Sequence, residues 1–458
     1  MGTRIEFYNA LKRAITISLF CFVNFQLLFA QETVHIYSIE SFISAVKDNN
    51  LQLKIAEKEK EYIKKGTNEA LAAYLPQINF QGTYQRNFND QKMHIEFPDF
   101  SNIDPVTGKI PVTLQEFNIG FNNDFQADFL LKQNIVSLKS IYELKASRIY
   151  SKIGELEYIS KTNEIVCNAK KMFLQTVLMK HVYELNLETE SNAYNNYIAT
   201  KNKFNNTLVS EIDLLQSKIR WENEIPKTKQ AKRNYLILLN NLKTIAGLSS
   251  TDSIIAKYNF FVHKEKNNET EIDKVFENRE DYQMLMHDIK LKKTLLNQEK
   301  AECIPTITGQ LGYSYLSNSD KWKYNENVNK PFYAGLTLTV PIVSGGYRNA
   351  RIKKAKLQYY ISNYQEDDAK LSITIEVQNL EMKLQEEASI ISSAETTLQT
   401  AKKGYELGQR NSETGLISQL DLREYSEDLK RAQLNLFYAI YNYECSLIDY
   451  NNAIGNNE

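Results

Sequence analysis

The residues able to do chemistry are few and scattered. His35, His94, His181, His263 and His287 show no HExxH run and no paired ligand spacing, so they read as surface or interface histidines, not as a metal or acid–base centre. Cys21 lies in the apolar N-terminal run. Cys167, Cys303 and Cys445 lie far apart with no CxxC and read as small core residues, not as a disulfide framework or metal site. Gly345-Gly346 lacks a surrounding GxxxxGK[ST] and reads as a strand-to-helix hinge, not a phosphate loop. What remains is electrostatic. Ser210 and Asp213 recur with the same spacing as Ser418 and Asp421. A hydroxyl and a carboxylate three residues apart can satisfy the free N–H groups of a helix start, or hold a fixed negative charge at a turn. Beside them stand Thr207, Leu208, Val209 and Gly415, Leu416, Ile417, small or apolar residues at predicted turns. They either pack the turn or form an exposed contact patch.

The frame that must hold these residues is 458 residues long with a formal charge of -1. That balance argues against a nucleic-acid surface or a polybasic membrane patch. Mean hydropathy is negative, too polar for a helical membrane protein of this size. Residues 1–30 differ from the rest: Arg4, Lys12 and Arg13 precede an uncharged run, Ala14 to Ala30. This reads as a secretory signal peptide, with a single N-terminal membrane anchor as the alternative. No cysteine follows the run, which argues against a lipid anchor there.

Proline maps the architecture. None lies between Pro111 and Pro226, and none follows Pro341. Proline removes a donor and clashes inside a helix, so these stretches permit very long helices. Ile135, Leu138, Tyr142, Ala146, Ile149, Ile153, Leu156 and Ile159 recur at coiled-coil spacing, and Val166, Phe173, Val177, Tyr183 and Leu187 continue the stripe. Leu380, Leu384, Ala388, Ile391, Ala394, Leu398, Ala401 and Tyr405 repeat it. A helix from Ile135 to about Asn205 would be on the order of 100 Å long.

Four segments alternate instead: Gln77 to Arg86, Phe117 to Leu131, Thr306 to Tyr315 and Phe332 to Ile342. Period two predicts strands. One face carries Phe80, Tyr84, Phe121, Phe125, Leu311, Tyr313, Leu336 and Leu338; the other is amide, hydroxyl and glycine. That pattern suits a barrel with lipid outside and water inside, or a soluble sheet with one wet face. Four strands cannot close a water-filled barrel, and open edges in lipid are too costly to persist. The barrel reading therefore requires several chains.

The order strand, strand, long helical pair occurs twice. AYLPQINFQGTYQRN aligns with ECIPTITGQLGYSYL, placing Pro76 over Pro305. TLVSEIDLL aligns with GLISQLDLR, and Tyr235 over Tyr443 and Gly247 over Gly455 keep the same 208-residue offset. The first strand-to-strand connection is about 22 residues longer than the second. It holds Pro98, Pro105, Gly108 and Pro111, and is expected to be an irregular outer loop. The expected divisions are a signal peptide at 1–30, a first repeat at 31–250, a linker at 251–271 and a second repeat at 272–458.

These residues resemble the TolC-like outer-membrane efflux family. The resemblance rests on the strand starts at Leu75-Pro76 and Ile304-Pro305, and on VPIVSGGYRNARIKKAK from Val340 to Lys356. It also rests on Gly-x-x-Ser-x-x-Asp at Gly415 to Asp421 and the closing Asn-Ala-Ile-Gly at Asn452 to Gly455. Arg279-Glu280-Asp281 before Tyr282 looks like the family's Arg-Pro-Asp-Leu, with Glu280 for proline. The resemblance implies a mixed α and β membrane protein. A long coiled-coil α-helical barrel would be continuous with a trimeric twelve-stranded outer-membrane β-barrel, four strands per chain. It further implies a non-enzymatic exit duct of a tripartite efflux or type I secretion system, without a cofactor and without nucleic acid. A periplasmic adaptor (membrane fusion) protein would meet the helix tips and link them to an inner-membrane pump of RND or ABC type. Asp213, Asp421, Ser210 and Ser418 become candidates for a pore gate, with helix capping as the plain alternative. Thr207, Leu208, Val209, Gly415, Leu416 and Ile417 become candidates for adaptor docking. The family often has a second acidic residue where this chain has Ser418, which leaves Asp421 as the acidic residue of that layer. An exported coiled-coil scaffold without a pore is the competing reading, and no catalytic constellation favours an enzyme.

Overall fold

The computed structural model describes residues 34–89, 91–103, 105–249, 252–258, 271–414 and 416–456. The leader at 1–30 and Gly415 lie outside them. The chain begins with β1 (Val34–Tyr37), α1 (Ile39–Asn49) and α2 (Leu51–Ala72). Four strands follow: β2 (Gln77–Arg86), β3 (Lys92–Pro98), β4 (Val112–Asn118) and β5 (Asn123–Val136). Next come α3 (Leu138–Asn205), α4 (Glu211–Ile245), β6 (Ser253–Ala256), α5 (Ile272–Asn278) and α6 (Glu280–Ala301). The chain continues with β7 (Thr306–Ser319), β8 (Phe332–Thr339), α7 (Tyr347–Glu413) and α8 (Gln419–Ala453). The duplication is visible in the lengths: α3 and α7 have 68 and 67 residues, and α4 and α8 have 35 each. No described helix is apolar enough to cross a membrane.

Two compact units divide the chain. The first draws on residues 34–60, 155–284 and 367–456. One of its cores joins Phe42 and Val46 of α1 to Val166, Ala169, Phe173 and Val177 of α3, with Leu242 of α4 and Ile254 of β6. A second joins Val275 of α5 to Ile373 and Val377 of α7 and Ala453 of α8. Farther along, Leu384 and Ile391 of α7 pack on Ala439, Ile440 and Tyr443 of α8. Leu384 and Ile391 belong to the stripe read from the sequence; Ile159 and Leu187 of the first stripe stay exposed. β1 and β6 form a short parallel ladder, Val34 opposite Ser253. The sequence reading missed it, because four residues are too few to display alternation. Pro226 lies inside α4. It is solvent-facing, so the carbonyl it leaves without a donor can be met by water.

Equivalent joints close the two repeats. In the first, Asn50 Nδ2 donates to the Ile245 carbonyl at 2.8 Å; in the second, Arg279 Nη1 donates to the Ala453 carbonyl at 3.1 Å. After each helix a glycine takes a left-handed conformation, Gly247 at φ 64 and Gly455 at φ 72. A Cβ on Gly247 would stand 2.7 Å from the Asn49 carbonyl oxygen, and one on Gly455 would stand 2.7 Å from Asn278 Cβ.

The second unit comprises residues 61–154 and 285–366. Its antiparallel sheet runs in the order β2-β5-β7-β8. Its helix segments pack in the corresponding order. Thr67 of α2 donates to the Ser147 carbonyl of α3, and Lys139 of α3 pairs with Glu302 beside the end of α6 at 2.7 Å. Arg351 of α7 pairs with Glu299 of α6 at 2.6 Å. Three expectations are corrected. The segment Phe117 to Leu131 is not one strand: β4 ends at Asn118 and β5 starts at Asn123. Phe121 lies in that break, not on a strand, because its partner strand β2 has ended at Arg86 opposite Asn123. The long outer connection is not irregular either; β3 and β4 pair along seven residues each. Its prolines sit at strand ends or between the strands, where they cost no ladder bond.

Replacing Gly247 by Ala forces a side chain into left-handed backbone, at about 1–2 kcal/mol, and into the Asn49 carbonyl. The expected result is a lower thermal midpoint for loss of the helical circular dichroism signal, and likewise for Gly455→Ala. Gly247→Asn should lose less than Gly247→Ala, since Asn tolerates the left-handed conformation although its Cβ meets the same Asn49 carbonyl.

Candidate functional site: a two-faced sheet and two capped turns

Residues opposite one another in an antiparallel pair share a face. The register lines up Ile78, Leu131, Leu311 and Ala334 in one cross-strand row, and Phe80, Phe129, Tyr313 and Phe332 in the next. Tyr84 stands opposite Phe125, and Leu336 and Leu338 stand opposite Gly309 and Ile307 on the same face. The alternate rows are mostly polar: Gln77, Lys132 and Gln310; Gln81, Asp128 and Ser314; Gln85, Asp124 and Asn318; Leu130, Leu316 and Tyr333 interrupt them. Seven of the eight strand residues named from the sequence therefore share one face, and Phe121 is the exception. Phe80, Leu336 and Leu338 remain more than 60% exposed, so the described residues leave this part of the face uncovered. From Ile307 to Ser317 it extends about 34 Å along β7, or about 25 Å in height at a tilt of 35–45°.

An aromatic cluster ends this face. Tyr84, Phe125 and Trp322 lie with ring centroids 4.6 to 5.3 Å apart, and the Tyr84 hydroxyl bonds to Asn123 Oδ1 at 3.0 Å. Trp322 comes from the turn between β7 and β8. Sequence reading did not pick it out, since a lone tryptophan in a turn has no periodicity. On the polar face Tyr333 lies across Gly312, where a Cβ would meet its ring at 2.3 Å.

The two Ser-x-x-Asp sequences form the same structure. Ser210 caps α4 and Ser418 caps α8, each in extended backbone. Asp213 N–H donates to Ser210 Oγ at 3.2 Å, and Asp213 Oδ2 accepts from Ser210 N at 3.1 Å and Oγ at 2.7 Å. Ser418 and Asp421 repeat this at 3.2, 3.0 and 2.8 Å. These serine hydrogen bonds, side chain first and backbone second, hold both carboxyls below the usual aspartate value. Thr207 precedes the first cap at φ 59, a conformation unusual for a β-branched residue. Leu208 and Leu416 are more than 70% exposed, while Val209 and Ile417 are half-buried. Ile212, Leu215 and Ile219 extend the exposed face from Leu208 along α4. The sequence reading passed over them, because an apolar residue every three or four positions is indistinguishable from a core stripe.

Farther from the turns a charged cluster ties α3, α4 and α8. Buried Glu224 bonds Lys227 at 2.8 Å and lies 3.7 Å from Lys430, whose ammonium also donates to Asn186 at 3.2 Å. Arg220 approaches Glu427 at 4.0 Å, and burial, then neighbouring Arg423, hold its guanidinium below its usual value. In the Arg-Glu-Asp segment, Arg279 pairs with Asp281 at 2.7 Å and Glu376 at 2.6 Å. Burial opposes its charge, but those bonds outweigh burial and hold the guanidinium above its usual value. Among the described residues no cluster of three metal-ligating side chains occurs.

Residues 272–456 match the outer membrane efflux protein family. The outer membrane protein TolC of Vibrio cholerae is 19% identical over 424 residues, covering 91% of this chain and 90% of that one. The Campylobacter jejuni CmeC outer membrane channel aligns with a TM-score of 0.73 at 18% identity, over 92% of this chain and 86% of that one. CusC aligns at 0.74 and 15% identity, over 91% and 92%. The open state of the Neisseria gonorrhoeae MtrE outer membrane channel aligns at 0.71 and 15%, over 91% and 88%. At these identities the solved structures establish the fold.

Ser210→Ala or Ser418→Ala removes a cap worth about 1 kcal/mol. Amide exchange in the first turn of the affected helix should quicken by about five-fold, with the other turn unchanged. The aspartate contribution carries its own sign: with the folded value depressed, it is complete above about pH 4 and fades as the pH falls below that.

Proposed function

We propose that this chain, which matches the outer membrane efflux proteins over its second repeat and shares the TolC-like channel fold, is one subunit of a homotrimeric exit duct. Its sheet lies in the outer membrane, its helices reach into the periplasm, and it conducts substrates passively from an inner-membrane pump of RND or ABC type. The observation that carries this is the register of the four-stranded sheet. An uncovered apolar face about 25 Å high, ending in an aromatic cluster, fits the hydrocarbon of a bilayer and one of its interfaces. The amide and hydroxyl face suits a water-filled lumen.

The sheet has two open edges, β2 and β8. In lipid their unpaired N–H and C=O groups must find partners. β8 of one copy and β2 of the next run in opposite directions, so repeating the order three times closes an antiparallel twelve-stranded barrel. The outer helix α7 supports this. Leu357, Ile361, Tyr364, Leu371, Ile375 and Met382 follow a coiled-coil spacing and are all more than half exposed, which is the seam of a helix awaiting a neighbour.

Thr207, Leu208, Val209, Gly415, Leu416 and Ile417 are assigned to docking of a periplasmic adaptor (membrane fusion) protein, with Ile212, Leu215 and Ile219 extending that surface. Asp213, Asp421, Ser210 and Ser418 are assigned to the gate, with the Glu224–Lys430 contact holding α4 to α8 nearby. The capping bonds and a gating role are compatible, because a channel that opens by helix movement can place one carboxylate in two settings.

Two experiments test these assignments. Phe129→Arg puts a charge on the apolar face and should cost assembly about 2–4 kcal/mol, seen as loss of heat-resistant trimers. Ser314→Arg, on the other face, should assemble normally and shift ion selectivity in planar bilayers. Equal tolerance of both would remove the lipid-facing assignment. Asp421→Ala should change single-channel conductance or its block by divalent cations; unaltered traces would remove Asp421 from the gate.

A further inference from the structure

Where the long helices leave the sheet, their exposed charge has one sign. The stretches 138–154 of α3, 285–301 of α6 and 347–366 of α7 belong to the second unit. Together they hold thirteen Lys and Arg against four Asp and Glu, in a chain whose net charge is -1. Nine of the basic residues are exposed and none of the acidic ones is. The acidic residues serve contacts between helices or within one: Glu143 accepts from Gln298, Glu299 pairs with Arg351, and Asp288 pairs with Lys292 at 3.3 Å. Among the described residues, Lys145, Arg148, Lys290, Lys293 and Lys300 form no ion pair. Away from the sheet the sign changes. The next exposed charged residue is Glu157 on α3, Asp281 on α6 and Asp367 on α7.

These basic residues lie opposite the packing contacts. On α3, Lys139 and Glu143 meet α6. Ser147 meets α2, and a Cβ on Gly154 would touch Ile63 of α2. At 3.6 residues per turn those four positions share one side of α3, and Ile141, Lys145 and Arg148 share the other. On α6, Gln298 and Glu299 meet α3 and α7, while Lys290, Lys293 and Lys300 fall on the far side. In a closed ring each helix has its two neighbours turned toward the lumen, so the wide open arc faces outward.

We infer that, on the reading of the sheet as the membrane-inserted part of a trimeric duct, these outward basic faces bind the phosphodiester headgroups of anionic phospholipid in the leaflet on the helical side. Apolar surface leads from the sheet to them. Ile135 is exposed beside Gly309 on the apolar face, and Ile141 is exposed one turn before Lys145. Lys300 and Lys290 stand about 2 and 17 Å from the end of α6, and Lys145 about 11 Å into α3. Long basic stems reach back toward a surface, and attraction to anionic headgroups extends over a Debye length of about 8 Å. A transported anion is the wrong occupant, because the faces point away from the lumen. A soluble acidic partner would have no need of a sign confined to the turns beside the apolar face.

The test reconstitutes the full-length trimer in vesicles of equal parts phosphatidylethanolamine and phosphatidylglycerol, extracts it gently and quantifies the retained lipids by mass spectrometry. The expected result is several-fold enrichment of phosphatidylglycerol over the bulk ratio, weakened by high salt. Lys145→Gln with Arg148→Gln, or Lys293→Gln with Lys300→Gln, should each lose part of it, and the four together should return the ratio to bulk. The control Lys229→Gln, Lys232→Gln, Lys402→Gln and Lys403→Gln removes equal charge from distant exposed sites and should keep the enrichment. A bulk ratio for the unaltered trimer, equal loss in the control, or full displacement by inorganic phosphate at matched ionic strength would overturn the inference. So would a changed ion selectivity of the four-fold variant, since it would place these charges in the lumen. Conducting trimers without lipid preference defeat the headgroup site alone. An unaltered chain that neither trimerises nor inserts into vesicles of any composition defeats the duct reading itself.

Discussion

The constraint on which the rest depends is the hydrogen bonding of strand edges. Each backbone N–H and C=O is an obligatory polar group, and hydrocarbon offers nothing to satisfy it. A four-stranded sheet satisfies its inner ladders and leaves two rows open. In the proposed duct the apolar face keeps those rows from water, and sister strands are what would close them. The long helices then follow the strands they continue: the packing order α2, α3, α6, α7 matches the strand order β2, β5, β7, β8, as the Thr67–Ser147, Lys139–Glu302 and Arg351–Glu299 contacts show. One ordering rule thus governs both layers of the second unit.

Duplication explains the economy of the design. The same joint appears twice, with Asn50 and Arg279 reaching corresponding carbonyls and Gly247 and Gly455 closing corresponding turns. Divergence is informative where it occurs. Asn50 is neutral, while Arg279 adds ion pairs to Asp281 and Glu376. Glu224, buried against Lys430, corresponds by the repeat offset to Ala432 in the second half. The two helical pairs share a frame and differ in the polar groups bolted to it.

Much of this was legible in the sequence, because it rests on period and spacing. β2 was read to the residue, the apolar faces of β5, β7 and β8 to within a few positions, and the Ser-x-x-Asp repeats as either caps or a gate, of which the capping bonds are seen. What escaped had no period to display. β1 and β6 are four residues each and pair only through distant sequence. Trp322 acts through a turn, and Lys430 meets Glu224 only after the helices are packed. Phe121 was misplaced because alternation continues through a break that is set by the end of the partner strand. The ribbon β3–β4 was hidden by its prolines, which mark loops but are also at home at strand ends.

The capped turns carry a last implication. In each, four groups of one short stretch satisfy one another: the serine hydroxyl and N–H, and the aspartate carboxylate and N–H. The turn therefore holds its form by local bonds and needs no neighbour to fold it. A surface arriving at either turn meets a shape already set, and the ordering entropy that a loose loop would forfeit on contact is largely absent. Recognition there can be quick to form and quick to undo, and the helices behind can shift as rods without the turns coming apart.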